Sequence, residues 1–269
     1  MIYLGTSAFA AGVLERLTAS GHRPELVVTR PDRPKGRGRK LQSPAVADTA
    51  RELGVELTQP EDVNSADLGD PDAIVLCAYG AIIREPLLSL RPILNLHPSL
   101  LPRWRGAAPI ERAIMAGDSV TGVSIMRLVE DLDAGPVCLS AQAPIHADDT
   151  YGTLAPRLEE LGATLLARAL DESPPWVDQP EDGVTYAERI TADDRNLDPS
   201  APPEVNERVV RALHPHIGAR VQLDDGSWLG VLRARVGNSG FVWHGLELLE
   251  VQPAGGKAMD AASYLRGRV

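Results

Sequence analysis

Apolar residues recur along the first half of this chain in two alternating rhythms. Residues 1–4 form a short apolar run, residues 9–19 place Val13, Leu14 and Leu17 on one helical face, and residues 25–29 return to an apolar run. Short runs bounded by turn residues predict strands, and the three-to-four spacing predicts a helix. Residues 73–79 are apolar throughout, the pattern of a strand buried on both faces. Ser43-Pro44 predicts a capped helix start with proline in the first turn, stopped by Gly54. A further helix is predicted over 109–116, closed by Gly117, and Asp149 is expected to cap one over 151–170. Segments 122–128 and 137–144 are expected to form a terminal antiparallel pair around a turn at Asp133. The alternation implies an α/β, Rossmann-like fold whose mostly parallel sheet is wrapped by helices, with ligands at the carboxyl ends of strands.

The rhythm changes after residue 172. Residues 172–203 are rich in proline and aspartate and read as a linker. Beyond it come a helix (203–213) and short strands at 219–223, 228–234, 241–244 and 246–251. The expected domains are therefore 1–172, a linker over 173–202, and a small β-rich module over 203–269. No internal repeat is visible.

Composition narrows the function classes. The chain has 269 residues and a net charge of −10, which argues against a protein that coats nucleic acid indiscriminately. Residues 30–40 nevertheless hold six cations and one acid, a local +5 that leaves −15 for the rest. Such a chain can grip phosphate at one place and repel it elsewhere, which suits selective binding of one RNA. Cys77 and Cys138 lie in apolar runs and are expected as buried free thiols. His214-Pro215-His216 is too sparse for a metal site, so no metal is expected. The longest apolar run, 72–83, is too short to span a membrane, and the expected compartment is the cytoplasm. Gly5-Thr6-Ser7-Ala8-Phe9-Ala10 lacks the later glycines of a dinucleotide fingerprint. Gly256-Lys257 and Gly36-x-Gly38 likewise lack the context of a phosphate loop.

The candidate chemistry sits in Asn95-Leu96-His97-Pro98-Ser99-Leu100-Leu101-Pro102-Arg103-Trp104-Arg105-Gly106. Two residues apart on a strand, Asn95 and His97 face the same way, and Pro98 ends the strand. An amide and an imidazole pointing together from a strand end are donors suited to a developing negative charge. Asp133, in the turn of Leu128-Val129-Glu130-Asp131-Leu132-Asp133-Ala134-Gly135, is a third candidate. A carboxylate beside an imidazole orients it and favours its charged form. By itself, an N-x-H pair with a distant Asp also fits a capped strand end and a surface turn.

The wider lettering from Asn95 to Pro109, followed by Asp133-Ala134-Gly135, closely resembles the formyltransferase family that uses 10-formyltetrahydrofolate. Pro31 to Leu41, Val184-Thr185-Tyr186-Ala187-Glu188 and Leu249 to Met259 resemble it too, so the likeness runs in order along nearly the whole chain. It implies the formyltransferase fold with an OB-like C-terminal barrel, here shortened between Arg235 and Gly245. It implies acyl transfer through a tetrahedral intermediate, with Asn95, His97 and Asp133 as the catalytic set and 10-formyltetrahydrofolate as co-substrate. The cofactor slot is expected at Tyr79, Gly80, Ala81 and Ile82, at Val129, Glu130 and Asp131, and along Ser99, Leu100, Leu101 and Pro102. The resemblance further implies initiator methionyl-tRNA as acceptor, met by Arg33, Lys35, Arg37, Arg39 and Lys40, with Arg37 reaching deepest. An alternative within the fold is N-formylation of a nucleotide-linked amino sugar; formyltetrahydrofolate hydrolysis is another, and a non-catalytic folate- or RNA-binding module is a third. A monomer is expected.

Overall fold

The computed structural model describes residues 1–35 and 40–267. In chain order the described elements begin β1 (Ile2–Gly5), α1 (Ala8–Ala19), β2 (Leu26–Val28), β3 (Arg33–Lys35), β4 (Lys40–Gln42), α2 (Ala45–Glu52), β5 (Glu56–Thr58), β6 (Ile74–Cys77) and α3 (Leu87–Leu90). They continue with β7 (Ile93–His97), β8 (Arg105–Gly106), α4 (Pro109–Ala116), β9 (Val120–Arg127), β10 (Val137–Pro144), α5 (Tyr151–Glu172) and β11 (Tyr186–Ala187). The last are α6 (Pro203–Leu213), β12 (Ala219–Gln222), β13 (Trp228–Val236), β14 (Phe241–Trp243), β15 (Leu246–Pro253), β16 (Met259–Asp260) and α7 (Ala261–Arg266).

Two compact units result: 1–107 with 122–143 and 156–186, and 108–121 with 144–155 and 187–269. The first is built on a seven-stranded sheet in the order β10-β9-β7-β6-β1-β2-β5. Strands β5, β2, β1, β6 and β7 run parallel, and β9 returns antiparallel to β7. This is the mostly parallel α/β sheet expected from the alternation. Its interior is aliphatic, with Ile2, Leu4, Ile74, Leu76 and Ile93 sharing one buried cluster. Ser7 caps α1, its hydroxyl accepting from the Ala10 amide at 3.1 Å.

The second unit carries an antiparallel sheet in the order β12-β13-β15-β14, with β16 also on β15. Leu213, Val221, Val231, Leu246 and Val251 fill its core. No ladder joins β12 to β14 among the described residues, so the β-rich region is an open sheet there rather than a closed barrel. Helices α4 and α6 belong to this same unit.

Three local expectations change. Ser43 does not cap α2: Pro44 takes the N-cap position and the Ser43 hydroxyl donates to the Asp32 carboxylate at 3.1 Å, an ionised acceptor. Asp149 instead accepts from the His146 amide and the Thr153 hydroxyl, while Thr150 accepts the Thr153 amide at the start of α5. The expected linker over 173–202 carries ordered contacts, among them a bridge from Val177 to Val137 and the pairing of β11 with β8. Backbone groups there find partners that a free linker would leave to water.

The basic segment is a hairpin rather than a plain loop. Strands β3 and β4 pair antiparallel, with Arg33 opposite Gln42 and Lys35 opposite Lys40. Arg37 and Arg39 lie outside the described residues.

Gly122 fixes how β9 lies under the segment after β7. A Cβ there would stand 2.1 Å from the Ala141 carbonyl oxygen and 2.6 Å from Leu100 Cδ2. The first is backbone and cannot swing aside. Gly122→Ala is expected to cost about 1–3 kcal/mol, read as a lowered urea midpoint with an unchanged m-value.

Candidate active site

Strand β7 delivers the amide and the imidazole. Asn95 lies opposite Met126 and His97 opposite Ser124 on β9, which fixes their height in the sheet. Both are nearly enclosed, at 5% and 4% exposed. Asp133 arrives from the turn between β9 and β10 with φ +46°, an uncommon conformation for a residue with a side chain.

The three groups meet. The Asn95 amide donates to Asp133 Oδ1 at 3.4 Å, a long bond. His97 Nδ1 faces Asp133 Oδ2 at 3.6 Å, beyond hydrogen-bonding distance. Oδ2 already accepts a firm bond from the Gly106 amide at 2.8 Å. The other imidazole nitrogen, Nε2, stands 2.8 Å from the Trp104 carbonyl. A carbonyl only accepts, so Nε2 carries the hydrogen. In the neutral ring Nδ1 is then the basic nitrogen, turned toward the carboxylate.

A second layer holds these groups still. Gln179 donates to the carbonyls of Asp133 and Gly135 at 2.8 Å each, and its own oxygen accepts from Arg105 Nε and Nη2 at 3.1 and 2.8 Å. The Trp104 amide donates to the Thr185 hydroxyl at 2.9 Å. Gly135 is needed for close approach, since a Cβ there would lie 1.9 Å from the Arg127 carbonyl oxygen. Trp104, Gln179 and Thr185 were not singled out as site residues from the sequence. Gln179 and Thr185 come from the proline-rich stretch that lacks periodicity, and Trp104 acts through its backbone.

The expected cofactor positions divide. Ser99 is fully buried; its hydroxyl donates to the Arg103 carbonyl at 2.6 Å and its own carbonyl accepts from Ser124 at 2.8 Å. It therefore shapes the 99–103 turn, its hydroxyl hydrogen committed to the Arg103 carbonyl. Leu100, Leu101 and Pro102 are half-buried and keep apolar surface. Val129, Glu130 and Asp131 open the turn that ends at Asp133, with the Asp131 carbonyl accepting from the Ala134 amide. In the 79–82 segment, the carbonyls of Tyr79, Gly80 and Ile82 accept from Thr6, Arg30 and Asn64. No hydrogen bond among the described residues links that segment to the triad. Arg33 and Lys40 are exposed on the hairpin.

Among the described residues no group of three or more His, Cys, Asp or Glu is placed to hold a metal ion. No helix among them is long and apolar enough to cross a membrane. Cys77 is buried and its thiol is pushed up to about 12 by burial, so it is inert; Cys138 is half-buried.

Comparison with known proteins agrees with the geometry. Residues 1–170 match the family model for formyl transferases. The chain is 43% identical to a methionyl-tRNA formyltransferase of Halorhodospira halophila, over 100% of this chain and 96% of that protein. It is 42% identical to one from Jannaschia sp., covering 99% and 96%. Among solved structures, HypX from Aquifex aeolicus in complex with tetrahydrofolic acid superposes with a TM-score of 0.68 at 17% identity, over 98% of this chain and 46% of that one. An N-formyltransferase from Helicobacter canadensis, in complex with folinic acid and dTDP-3-aminofucose, gives 0.65 at 15% identity over 88% of each chain. These two share the fold. The family match over more than half the chain, joined to full-length relatives above 40% identity, establishes that this chain belongs to the formyl transferase family.

Proposed function

We propose that the chain transfers the formyl group of 10-formyltetrahydrofolate to the α-amino group of initiator methionyl-tRNA, in the cytoplasm, at the start of translation. The observation that carries the chemistry is the meeting of Asn95, His97 and Asp133 at the carboxyl end of β7. Support for the acceptor comes from the full-length likeness to methionyl-tRNA formyltransferases, at 43% and 42% identity.

The amine lone pair attacks the formyl carbon, the carbonyl oxygen becomes anionic, and the bond from carbon to the folate N10 then breaks. The amine proton leaves and N10 gains one. The acceptor must be neutral to attack, and an α-amino group titrates near pH ~8, so a useful fraction is ready. Asn95 supplies its amide hydrogens to the anionic oxygen, exchanging the long contact to Asp133 for a stronger one. With Nε2–H engaged by Trp104, His97 meets the oxygen only through Nδ1, and it donates there only as an imidazolium. Asp133 provides the countercharge and the nearest proton acceptor. The pterin would lie against Leu100, Leu101 and Pro102, using backbone groups of 79–82 and 129–131. Arg33, Lys35, Arg37, Arg39 and Lys40 would meet the acceptor stem, the guanidinium forks gripping phosphate in pairs of hydrogen bonds.

One assay separates the acceptors: incubation with 10-formyltetrahydrofolate and charged initiator tRNA, a nucleotide-linked amino sugar, or water alone. Formylmethionyl-tRNA is the expected product. Asn95→Ala and His97→Ala are each expected to lower kcat by roughly 100- to 1,000-fold, the usual loss for one oxyanion donor, with the circular dichroism of the parent retained. Near-normal turnover in His97→Ala would falsify its assignment.

On the RNA side, Arg37→Ala is expected to raise KM for the charged tRNA while the folate dissociation constant stays put. Parent activity should also fall steeply between 50 and 200 mM salt, as roughly expected for several phosphate contacts. A flat salt profile would remove the hairpin from the tRNA interface.

A further inference from the structure

Arg30 and Tyr79 hold two buried donors that lack acceptors. Tyr79, just beyond β6, is 1% exposed, yet among the described residues its hydroxyl has no hydrogen-bond partner, and the buried Nε of Arg30 has none either. Such groups are rare in folded proteins. Both residues line the same two cavities. The smaller, about 240 Å³, is bounded by carboxylates as well, Glu61 and Asp62, with Arg84 beside them. The larger, about 510 Å³, is lined by Arg30, Arg33 and the hydroxyl-bearing Thr6, Ser7, Ser43 and Tyr79, with no carboxylate among the described residues that line it. Burial pushes the Tyr79 hydroxyl up, the Arg30 charge pulls it down and the Asp62 carboxylate raises it, so a cation and a carboxylate both lie within electrostatic reach of the phenol. The missing partner of two donors is an acceptor, and beside two guanidinium groups it is an anionic one.

The position agrees. From β1 the chain runs to β2 and β5 on one side and returns to β6 and β7 on the other. The carboxyl ends of β1 and β6 therefore flank the crevice in which open α/β sheets take ligands. Ser7 and Ala8 at the start of α1, and Pro44 and Ala45 at the start of α2, also line the larger cavity. Their amide ends add partial positive charge.

We propose that this larger cavity is a phosphodiester subsite for the acceptor RNA. Arg30 and Arg33 hold one phosphate and the Tyr79 hydroxyl donates to it. A nucleic-acid phosphate fits better than a lone one because Arg33, Pro34 and Gln42 of the wall belong to the β3–β4 hairpin, which the tRNA reading sets against the acceptor stem. The subsite rests on the tRNA reading above, and it gives the Tyr79 side chain a task separate from the folate slot.

The test is equilibrium binding of uncharged initiator tRNA to the full-length protein, without folate, across a salt series. Arg30→Gln is expected to weaken binding about 10-fold and to reduce the slope of log K against log salt by about one. Arg30→Lys keeps the charge and should keep the slope. Tyr79→Phe should weaken binding roughly 3- to 10-fold, the loss of one neutral donor, with the slope unchanged. Parent-like affinity and slope in both Arg30→Gln and Tyr79→Phe would overturn the proposal. Loss of inorganic phosphate or adenosine 5′-monophosphate binding without loss of tRNA binding would overturn it too, making the cavity a free-nucleotide site. Formyl transfer by the parent protein is scored separately, so failure of the activity and failure of the subsite are told apart.

Discussion

The Asp133 carboxylate is the point on which the catalytic end of the sheet converges. Its Oδ2 takes the Gly106 amide from β8 at 2.8 Å and faces His97 of β7 at 3.6 Å, while Oδ1 accepts from Asn95 at 3.4 Å. Two segments, β7 and β8, thereby face one ionisable group from a turn further along the chain. The tight bond is the one to the backbone, and the loose contacts are to the side chains proposed as catalytic. That asymmetry suits a site in which the carboxylate stays fixed while the amide and imidazole turn toward a substrate oxygen.

Holding that carboxylate requires unusual backbone. Asp133 and Trp104 both carry positive φ, +46° and +63°. Each such residue costs on the order of 1–3 kcal/mol unless its surroundings impose it. The surroundings are visible: Gln179 ties the Asp133 and Gly135 carbonyls, and Thr185 holds the Trp104 amide. The strain is met during folding, so in the proposed mechanism the Asp133 carboxylate and the Trp104 carbonyl are already in place when charge develops on the formyl oxygen.

Much of this was legible from the residues. The alternating apolar runs gave the parallel sheet, because strands buried on both faces must be apolar throughout, as residues 74–77 are. The N-x-H spacing placed both side chains on one strand face, which the pleat guarantees. What stayed hidden was whatever depends on a single side chain choosing among competing partners. Ser43 turned to Asp32 instead of capping α2, and the Ser99 hydroxyl closed its own turn. Gln179 and Thr185 come from a proline-rich stretch with no rhythm, so nothing local announces their long-range bonds. The hairpin at 33–42 was equally unmarked, since Pro34 and alternate basic residues carry no apolar face.

The same logic of competing partners assigns His97 its direction. An imidazole flanked by two carboxylates could present either nitrogen, and its proton could leave by either path. Here one flank is a carbonyl, which cannot take a proton, and the other is a carboxylate, which can. Protons can therefore be exchanged only at Nδ1, on the side where Asp133 stands. In the proposed mechanism, an amine that loses its proton while attacking a formyl carbon finds the acceptor on that side, and the departing folate nitrogen is protonated from it. The Trp104 carbonyl, which touches no reacting atom, thus fixes the edge of the ring on which the chemistry runs.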